Sequence, residues 1–326
     1  MGRIAVVIPC FKVRDHVLGV IAAMPPEVER IYVVDDACPE GTGAHVEASC
    51  RDARVRVLRN ESNQGVGGAT LRGYEQALAD GADFLVKLDG DGQMDPSRIP
   101  SLVGPLADGS ADYTKGNRFF DLEDVRSMPA IRLVGNAILS FVNKVASGYW
   151  DVMDPTNGYT AIHAVVARAL PFRKIARDYF FESDMLFRLS VLRAVVVDVP
   201  MAARYGDEVS NLRVSKVLLS FPSRYLGRAF KRLFYGYVLR DFNAGTVQLF
   251  LGLLLLLGGG AFGALRWHES IVSGTPATAG TVILAALPVL FGGHLLLSAV
   301  NYDIANVPRR PVHPFLANVT PPPERA

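Results

Sequence analysis

A chain of 326 residues with a formal net charge of +2 carries too little positive charge to hold a nucleic-acid backbone. Half of the residues are hydrophobic and only three are cysteine. Cys10, Cys38 and Cys50 make no metal-binding spacing and leave one thiol over under any disulfide scheme, so reduced thiols in a cytosolic domain are expected. The length suits one soluble domain plus a further part, and the last third is where the hydrophobicity gathers.

In chain order, Ile4 to Ile8 reads as a first strand stopped by Pro9, with no charged region and cleavage site before it, so no signal peptide is expected. Asp15 to Met24 reads as a short helix. Arg30 to Val34 is a second strand ending in Asp35-Asp36. Thr42 or Gly43 could cap a helix to Ala48, and Val55 to Leu58 is a third strand. A polar turn, NQGVGGA, leads into a helix with Ala69, Tyr74 and Leu78 on its apolar face. Phe84 to Leu88 is a fourth strand, followed by a helix from Pro96 to Leu106 and a strand at Asp112 to Lys115 opening into GNRFF. Helical spacing runs from Ile131 to Ser147. A return segment covers Asp154 to Ile162, a helix Tyr179 to Val191, and a last strand Ala194 to Val199. Strands alternating with helices predict a mostly parallel sheet covered on both faces, and ligands of such sheets sit beyond the carboxyl ends of the strands.

The fourth strand feeds directly into KLDGDGQMD, Lys87 to Asp95. Carboxylates two apart on an extended chain point the same way, and the intervening glycine lets a bulky group approach. Asp89 and Asp91 with the Gln93 amide are hard oxygen donors suited to Mg²⁺ or Mn²⁺. Asp-Gly is also a strong turn dipeptide, so this stretch alone reads either way.

Two runs differ in kind. Ala244 to Leu265 carries no charge and is long enough to cross a bilayer core of ~30 Å. Gly280 to Asn301 is similar, with His294 its one ionisable group. Lys and Arg cluster before the first run and after the second, while the loop between holds Arg266. The positive-inside rule then puts both termini and the sheet domain in the cytoplasm. Leu218, Phe221, Tyr225, Leu233 and Tyr237 recur at helical spacing among Arg224, Arg228, Lys231 and Arg232, a pattern that suits a helix on an anionic leaflet. Gly258 to Gly260 with Gly263 would permit close helix contact, including between copies of the chain.

VVDDACPEGTG, NQGVGGA, KLDGDGQMDP, GNRF and RYGDEVSNL, followed by two C-terminal spans, fall in one order. The chain resembles the inverting family-2 glycosyltransferases, and within them the polyprenyl-phosphate sugar synthases. The resemblance implies a type-A nucleotide-sugar fold over 1–213, amphipathic helices over 214–243, and membrane spans over 244–265 and 280–301. A short loop at 266–279 would join the spans, and a cytoplasmic Pro-rich tail would cover 302–326. It implies a nucleotide-sugar donor, UDP- or GDP-linked, with Pro9, Phe11, Val34, Asp36, Asp89, Gly90 and Asp91 on the donor side. It implies Mg²⁺ or Mn²⁺ at Asp89, Asp91 and Gln93. A polyprenyl phosphate acceptor would meet Arg118, Arg132 and Asn136, and Arg204 would lie on a loop that closes over the diphosphate. The expected catalytic set is Asp89, Asp91, Arg118 and Arg204. The product would be a polyprenyl-phosphate-linked hexose for the cell envelope, made at the inner membrane.

The chain departs from the family where Cys10, Phe11, Lys12 and Val13 stand in place of Tyr-Asn-Glu, where Asn211 stands in place of a lysine, and near Phe180. A phosphate acceptor is already anionic near neutral pH, with a second pKa of about 6, so it needs little from a general base. Asp154, Glu182 and Asp184 could serve as one or could orient an arginine or a sugar hydroxyl. A processive polysaccharide synthase is the alternative enzyme, disfavoured by two spans and the lack of a QxxRW-type motif. A non-catalytic membrane adaptor is the alternative of another class, disfavoured by the intact Asp89/Asp91/Gln93 set.

Overall fold

The structure, a computed structural model, describes residues 2–120, 130–201 and 214–316. Seven strands form one sheet: β1 (Ile4–Cys10), β2 (Val28–Asp35), β3 (Val55–Arg59), β4 (Phe84–Lys87), β5 (Tyr113–Asn117), β6 (Thr160–His163) and β7 (Val196–Pro200). Their order is β3-β2-β1-β4-β6-β5-β7. β1 pairs in parallel with β2 and β4, β2 with β3, and β5 with β7. Every residue of β1 is buried, which is why its sequence is an unbroken apolar run rather than an alternating one.

The fold is therefore the expected type-A arrangement, with one strand inverted. β6 lies between β4 and β5 and runs antiparallel to both. Because it runs backwards, its first residue, Thr160, stands level with the last residue of β4, Lys87. The loop that precedes β6 is thus delivered to the same sheet edge as the carboxyl ends of β1, β2, β4, β5 and β7. This one inversion sets the composition of the site.

Helices α1 (Arg14–Ala22), α2 (Thr42–Ser49), α3 (Gly65–Ala79), α4 (Ile99–Ala107), α5 (Ala130–Ser147), α6 (Ala164–Ala169) and α7 (Phe181–Leu192) connect or cover the strands. The short α6 has no counterpart in the sequence reading. Val6, Ile8, Val33, Val86, Leu102 and Tyr159 belong to one buried cluster between the sheet and its helices.

The long α8 (Val214–Leu233) follows. Composition suggested a helix lying on a leaflet, but one of its faces serves the sheet domain. Phe221 and Tyr225 pack edge-on against the buried Phe180, and the Tyr225 hydroxyl lies 2.7 Å from Ser183 Oγ. Arg224 and Arg228 bond Asp178 and Asp184 at 2.7 and 2.5 Å. Leu226 stays exposed.

The chain divides into two compact units, residues 1–229 with 308–326, and residues 230–307. The second unit is a helical hairpin of α9 (Ala244–Ser273) and α10 (Ala279–Ala305). Both helices are long and apolar enough to cross a membrane, with mean hydropathies of 1.9 and 2.1. Each continues beyond the uncharged run read from sequence, so only residues 274–278 separate them. They meet through small residues: a Cβ on Gly259 would lie 2.9 Å from Pro288 Cβ, and one on Gly292 would lie 2.6 Å from Leu256 N. Gly259 and Gly263 are thus used within the hairpin, whereas Gly258 and Gly260 face open space. Arg232 and Tyr237 both bond Asp303, at 2.7 and 2.6 Å, tying the hairpin's ends together.

The tail re-enters the first unit. Asp112, fully buried just before β5, accepts from the backbone N–H of Val312 and of His313. Its Oδ1 lies 2.8 Å from His313 Nδ1. The His313 ring stacks on His163 with centroids 4.5 Å apart.

Candidate active site at the carboxyl edge of the sheet

Asp89 and Asp91 follow β4 directly. The Asp89 side chain is about a third exposed, and its Oδ1 accepts from Lys87 Nζ at 2.8 Å. Lys87 also meets Glu182 Oε1 at 3.2 Å and the Gly158 carbonyl at 3.3 Å. Three acceptors match the three protons of an ammonium group. Burial alone would push this lysine's pKa down, but the Asp89 and Glu182 carboxylates outweigh it and hold the pKa above the ordinary lysine range. Asp91 Oδ1 accepts from the Gln93 backbone N–H at 3.0 Å, closing a tight turn. The turn reading and the ligand reading are therefore compatible: the turn is what aims the carboxylates.

Two close approaches shape this corner. A Cβ on Gly90 would lie 3.1 Å from Val13 Cγ2 and 3.2 Å from Ile8 Cγ2, so the end of β4 lies flat against the end of β1. A Cβ on Gly158 would lie 2.6 Å from Lys87 Nζ and 2.9 Å from Asp89 Oδ2. Among the described residues no three His, Cys, Asp or Glu side chains converge as a complete metal cage. Two carboxylates and an amide are hard oxygen donors, a set that fits Mg²⁺ or Mn²⁺ sharing its shell with substrate oxygens and water.

On the donor side, Pro9 and Val34 are buried and paired across β1 and β2. Phe11, just past β1, is exposed. Asp36 is 2% exposed. Its carboxylate accepts from Asn60 Nδ2 at 2.6 Å and from the backbone N–H of Gln64 and Gly65, both at 2.8 Å. It therefore anchors the NQG turn at the start of α3. Asp35 accepts from the N–H groups of Cys38 and Gly43 at 2.7 and 2.6 Å. The cap of α2 is thus a distant strand-end carboxylate, a correction to the reading of Thr42 or Gly43 as capping residue.

Arg118 stands one residue past β5, at the same edge of the sheet. Its Nε lies 2.7 Å from Asp154 Oδ2 and one terminal nitrogen 3.1 Å from Asp154 Oδ1. Asp154 is fully buried, while the arginine is about a third exposed. α5 leans on the same loop through Ser140 Oγ, 3.1 Å from the Met153 carbonyl, and carries Asn136, which is partly buried. The side chain of Arg132, also on α5, and the whole of Arg204 lie outside the described residues. The Met153 N–H donates to Asp198 Oδ2 at 2.7 Å. Burial raises the Asp198 pKa to about 6.

The three acids offered from sequence as possible bases each hold a cation: Asp154 holds Arg118, Glu182 holds Lys87 and Asp184 holds Arg228. Sequence reasoning passed over Lys87 and Lys115. Lys115 is fully buried on β5 and bonds the Asn157 carbonyl. Burial lowers its pKa to about 8, against the opposing pull of Glu182 and Asp154. For Lys87, a lysine closing the otherwise apolar FLVK strand was the available signal; the YTKGN strand around Lys115 offered none.

A cavity of about 520 Å³ opens at the amino edge of the sheet between Arg3, Glu29, Tyr32 and Asp80. The strand-end carboxylates and Arg118 lie at the carboxyl edge of the sheet, the place where a parallel sheet presents ligands.

Known proteins resemble this chain in sequence and in fold. The chain is 31% identical over 204 residues to the undecaprenyl-phosphate mannosyltransferase of Micrococcus luteus, covering 61% of this chain and 82% of that protein. It is 31% identical over 205 residues to the polyprenol monophosphomannose synthase of Mycolicibacterium smegmatis, covering 61% and 76%. It is 31% identical over 172 residues to the UDP-N-acetylglucosamine–dolichyl-phosphate N-acetylglucosaminyltransferase of Methanococcus voltae, covering 53% and 68%. The fold matches glucosyl-3-phosphoglycerate synthase from Mycobacterium tuberculosis, solved with Mn²⁺, uridine diphosphate and phosphoglyceric acid. That match has a TM-score of 0.53 at 21% identity, over 72% of this chain and 79% of that one. Residues 5–170 match Glycosyl transferase family 2, and the chain belongs to that family.

Proposed function

We propose that this protein transfers a hexose from a UDP- or GDP-sugar to polyprenyl phosphate, with inversion at the anomeric carbon, at the cytoplasmic face of the membrane. The observation that carries the reading is the pairing, on one sheet edge, of an Asp89/Asp91 corner with the Arg118–Asp154 fork, in a chain that also bears two apolar helices. The names of the relatives, all polyprenyl-phosphate or dolichyl-phosphate sugar transferases, support the same acceptor.

Asp89 and Asp91 would hold Mg²⁺ or Mn²⁺, with Gln93 beside them, and the ion when bound neutralises a departing nucleoside diphosphate. Asp36 holds the turn that borders the donor side. Arg118, oriented by Asp154, would meet an anionic oxygen through a planar guanidinium, the geometry that suits phosphate. The attacking group is a phosphate monoester, whose oxygens already carry charge at pH 7 because its second pKa is about 6. Asp154, Glu182 and Asp184 are engaged with cations, which supports an attack that draws on positioning and charge rather than on a base. Arg132 and Asn136 would join Arg118 at the acceptor phosphate, and Arg204 would meet the donor's diphosphate.

The test is direct. Purified protein in detergent is incubated with polyprenyl phosphate and labelled UDP- or GDP-sugars in Mn²⁺ or Mg²⁺. A chloroform-soluble product from one donor, abolished by excess chelator and by Asp91→Asn, is the expected result. No glycolipid from any donor overturns the proposal, and equal synthesis in chelator overturns its metal.

A further inference from the structure

Two lysines are buried beneath the catalytic edge, Lys87 at 1% and Lys115 at 0% exposure. A lone buried ammonium is costly and persists when its protons are satisfied. The two stand in one cross-strand row. Lys87 of β4 and Lys115 of β5 each pair with Thr160 of β6, from opposite sides.

Their head groups grip consecutive carbonyls of the loop before β6. Lys115 bonds the Asn157 carbonyl and Lys87 the Gly158 carbonyl, the latter at 3.3 Å. That loop begins at Asp154, which holds Arg118. Lys87 in turn holds Asp89 Oδ1 at 2.8 Å, leaving Oδ2 on the side that faces the Gly158 backbone. A continuous chain of contacts therefore runs from Asp89 through Lys87, Gly158, Asn157 and Asp154 to Arg118, with Lys115 securing its middle and Glu182 balancing the charge of Lys87.

We propose that Lys87 and Lys115 are positioning residues that hold the metal-side carboxylate and the acceptor-side arginine in one rigid frame, Lys87 aiming Asp89 and Lys115 fixing the loop that carries Asp154. This rests on the proposed function, in which Asp89 faces a metal-bound donor and Arg118 a phosphate. An ordinary internal brace would make some of the same contacts, so the test needs a readout that bracing alone does not move.

Lys87→Met alone strands Glu182 as a buried unpaired carboxylate and risks unfolding. Lys87→Met/Glu182→Leu removes one positive and one negative charge together, so the local net charge is unchanged and the buried pair is replaced by apolar groups. The full chain in detergent is titrated with Mn²⁺ by electron paramagnetic resonance, with UDP or GDP present and no acceptor, alongside thermal unfolding. The double variant is expected to unfold near the wild-type temperature and to bind Mn²⁺ about tenfold more weakly, the scale of losing a group that orients a metal ligand. Lys115→Met is expected to bind Mn²⁺ within about twofold of wild type while its KM for polyprenyl phosphate rises about tenfold and its donor KM stays put, the split expected when acceptor binding alone is lost.

A double variant that is folded and binds Mn²⁺ like wild type overturns the role of Lys87. Lys115→Met with both KM values unchanged, or both raised alike, overturns the role of Lys115. Wild-type protein that binds no Mn²⁺ with either nucleotide overturns the metal assignment itself, an outcome told apart because it shows before any variant is made.

Discussion

Asp154 holds Arg118 by two hydrogen bonds, 2.7 Å to Nε and 3.1 Å to a terminal nitrogen, from a position with no solvent exposure. One carboxylate thereby fixes the plane of the guanidinium. Asp154→Asn keeps the side-chain volume but removes the charge and one acceptor. The expected result is a fall of about 10- to 100-fold in kcat/KM for polyprenyl phosphate, as expected when a buried hydrogen-bonded charge partner is lost, with donor KM little changed. Initial rates at varied acceptor and varied donor check it. Equal losses toward both substrates would place Asp154 outside the acceptor half.

Asp36 has three donors on its carboxylate, two of them the backbone N–H groups that begin α3. Asp36→Ala removes the acceptor of two part-buried donors, Asn60 Nδ2 and the Gln64 N–H, at about 1–3 kcal/mol, while the Gly65 N–H keeps Asn63 Oδ1 at 3.0 Å. Thermal unfolding should therefore shift downward, and Asp36→Asn, which retains an acceptor oxygen, should shift less. An Asp36→Ala variant of wild-type thermal stability that has lost only donor affinity would show that the carboxylate contacts nucleotide rather than holding the turn.

The carboxylates and Arg118 were legible in the sequence because each sits within two or three residues of a strand end, where chain direction alone decides which edge it joins. Their partners were legible only in part: Asp154 was read as an acid that could orient an arginine, but not which one. Lys87 and Lys115 acquire meaning only from the insertion of β6 between β4 and β5, a pairing between segments far apart in sequence. Local periodicity carries no information about that register. The same holds for α8: its apolar and basic spacing is the same whether Phe221 and Tyr225 meet lipid or Phe180. The bend that lets Asp35 cap α2 from the end of β2 is also a tertiary fact, hidden behind two residues, Thr42 and Gly43, that are good caps by composition. The two apolar runs were legible outright, since length and lack of charge are properties of the sequence itself.

Gly158 gives a sharp steric test. A methyl group there would press on Lys87 Nζ and Asp89 Oδ2 at 2.6 and 2.9 Å. Lys87 cannot retreat freely, since it is fully buried and bonded to Glu182 as well. Gly158→Ala should cost about 1–3 kcal/mol of stability, the usual penalty for overpacking, and should weaken Mn²⁺ binding by moving Asp89. Calorimetry and Mn²⁺ titration read the two effects separately. A variant with native stability and native metal affinity would show that the loop before β6 can move away from Asp89.

His163 gives a pH test at the other edge of the sheet, where the tail docks. The ring packs edge-on against Phe84 and stacks on His313. Burial, and then the neighbouring His313 and Arg168, lower its pKa to about 4, against the pull of Asp112 and Asp83. An unfolded histidine titrates near 6.5. Between about pH 4 and pH 6.5 the unfolded chain therefore holds more protons than the folded one, so this group makes stability rise with pH across that window and fall on acidification. His163→Phe keeps a flat ring beside His313 and removes the titration. Its unfolding temperature should vary less than the wild type's between pH 6.5 and pH 4, with the two curves converging in slope above pH 7. Protease cleavage within residues 308–316 should follow the same pH dependence in wild type, because the stacked partner His313 belongs to that segment. Parallel unfolding curves for the two proteins across the acid window would show that His163 binds protons alike in the folded and unfolded chain.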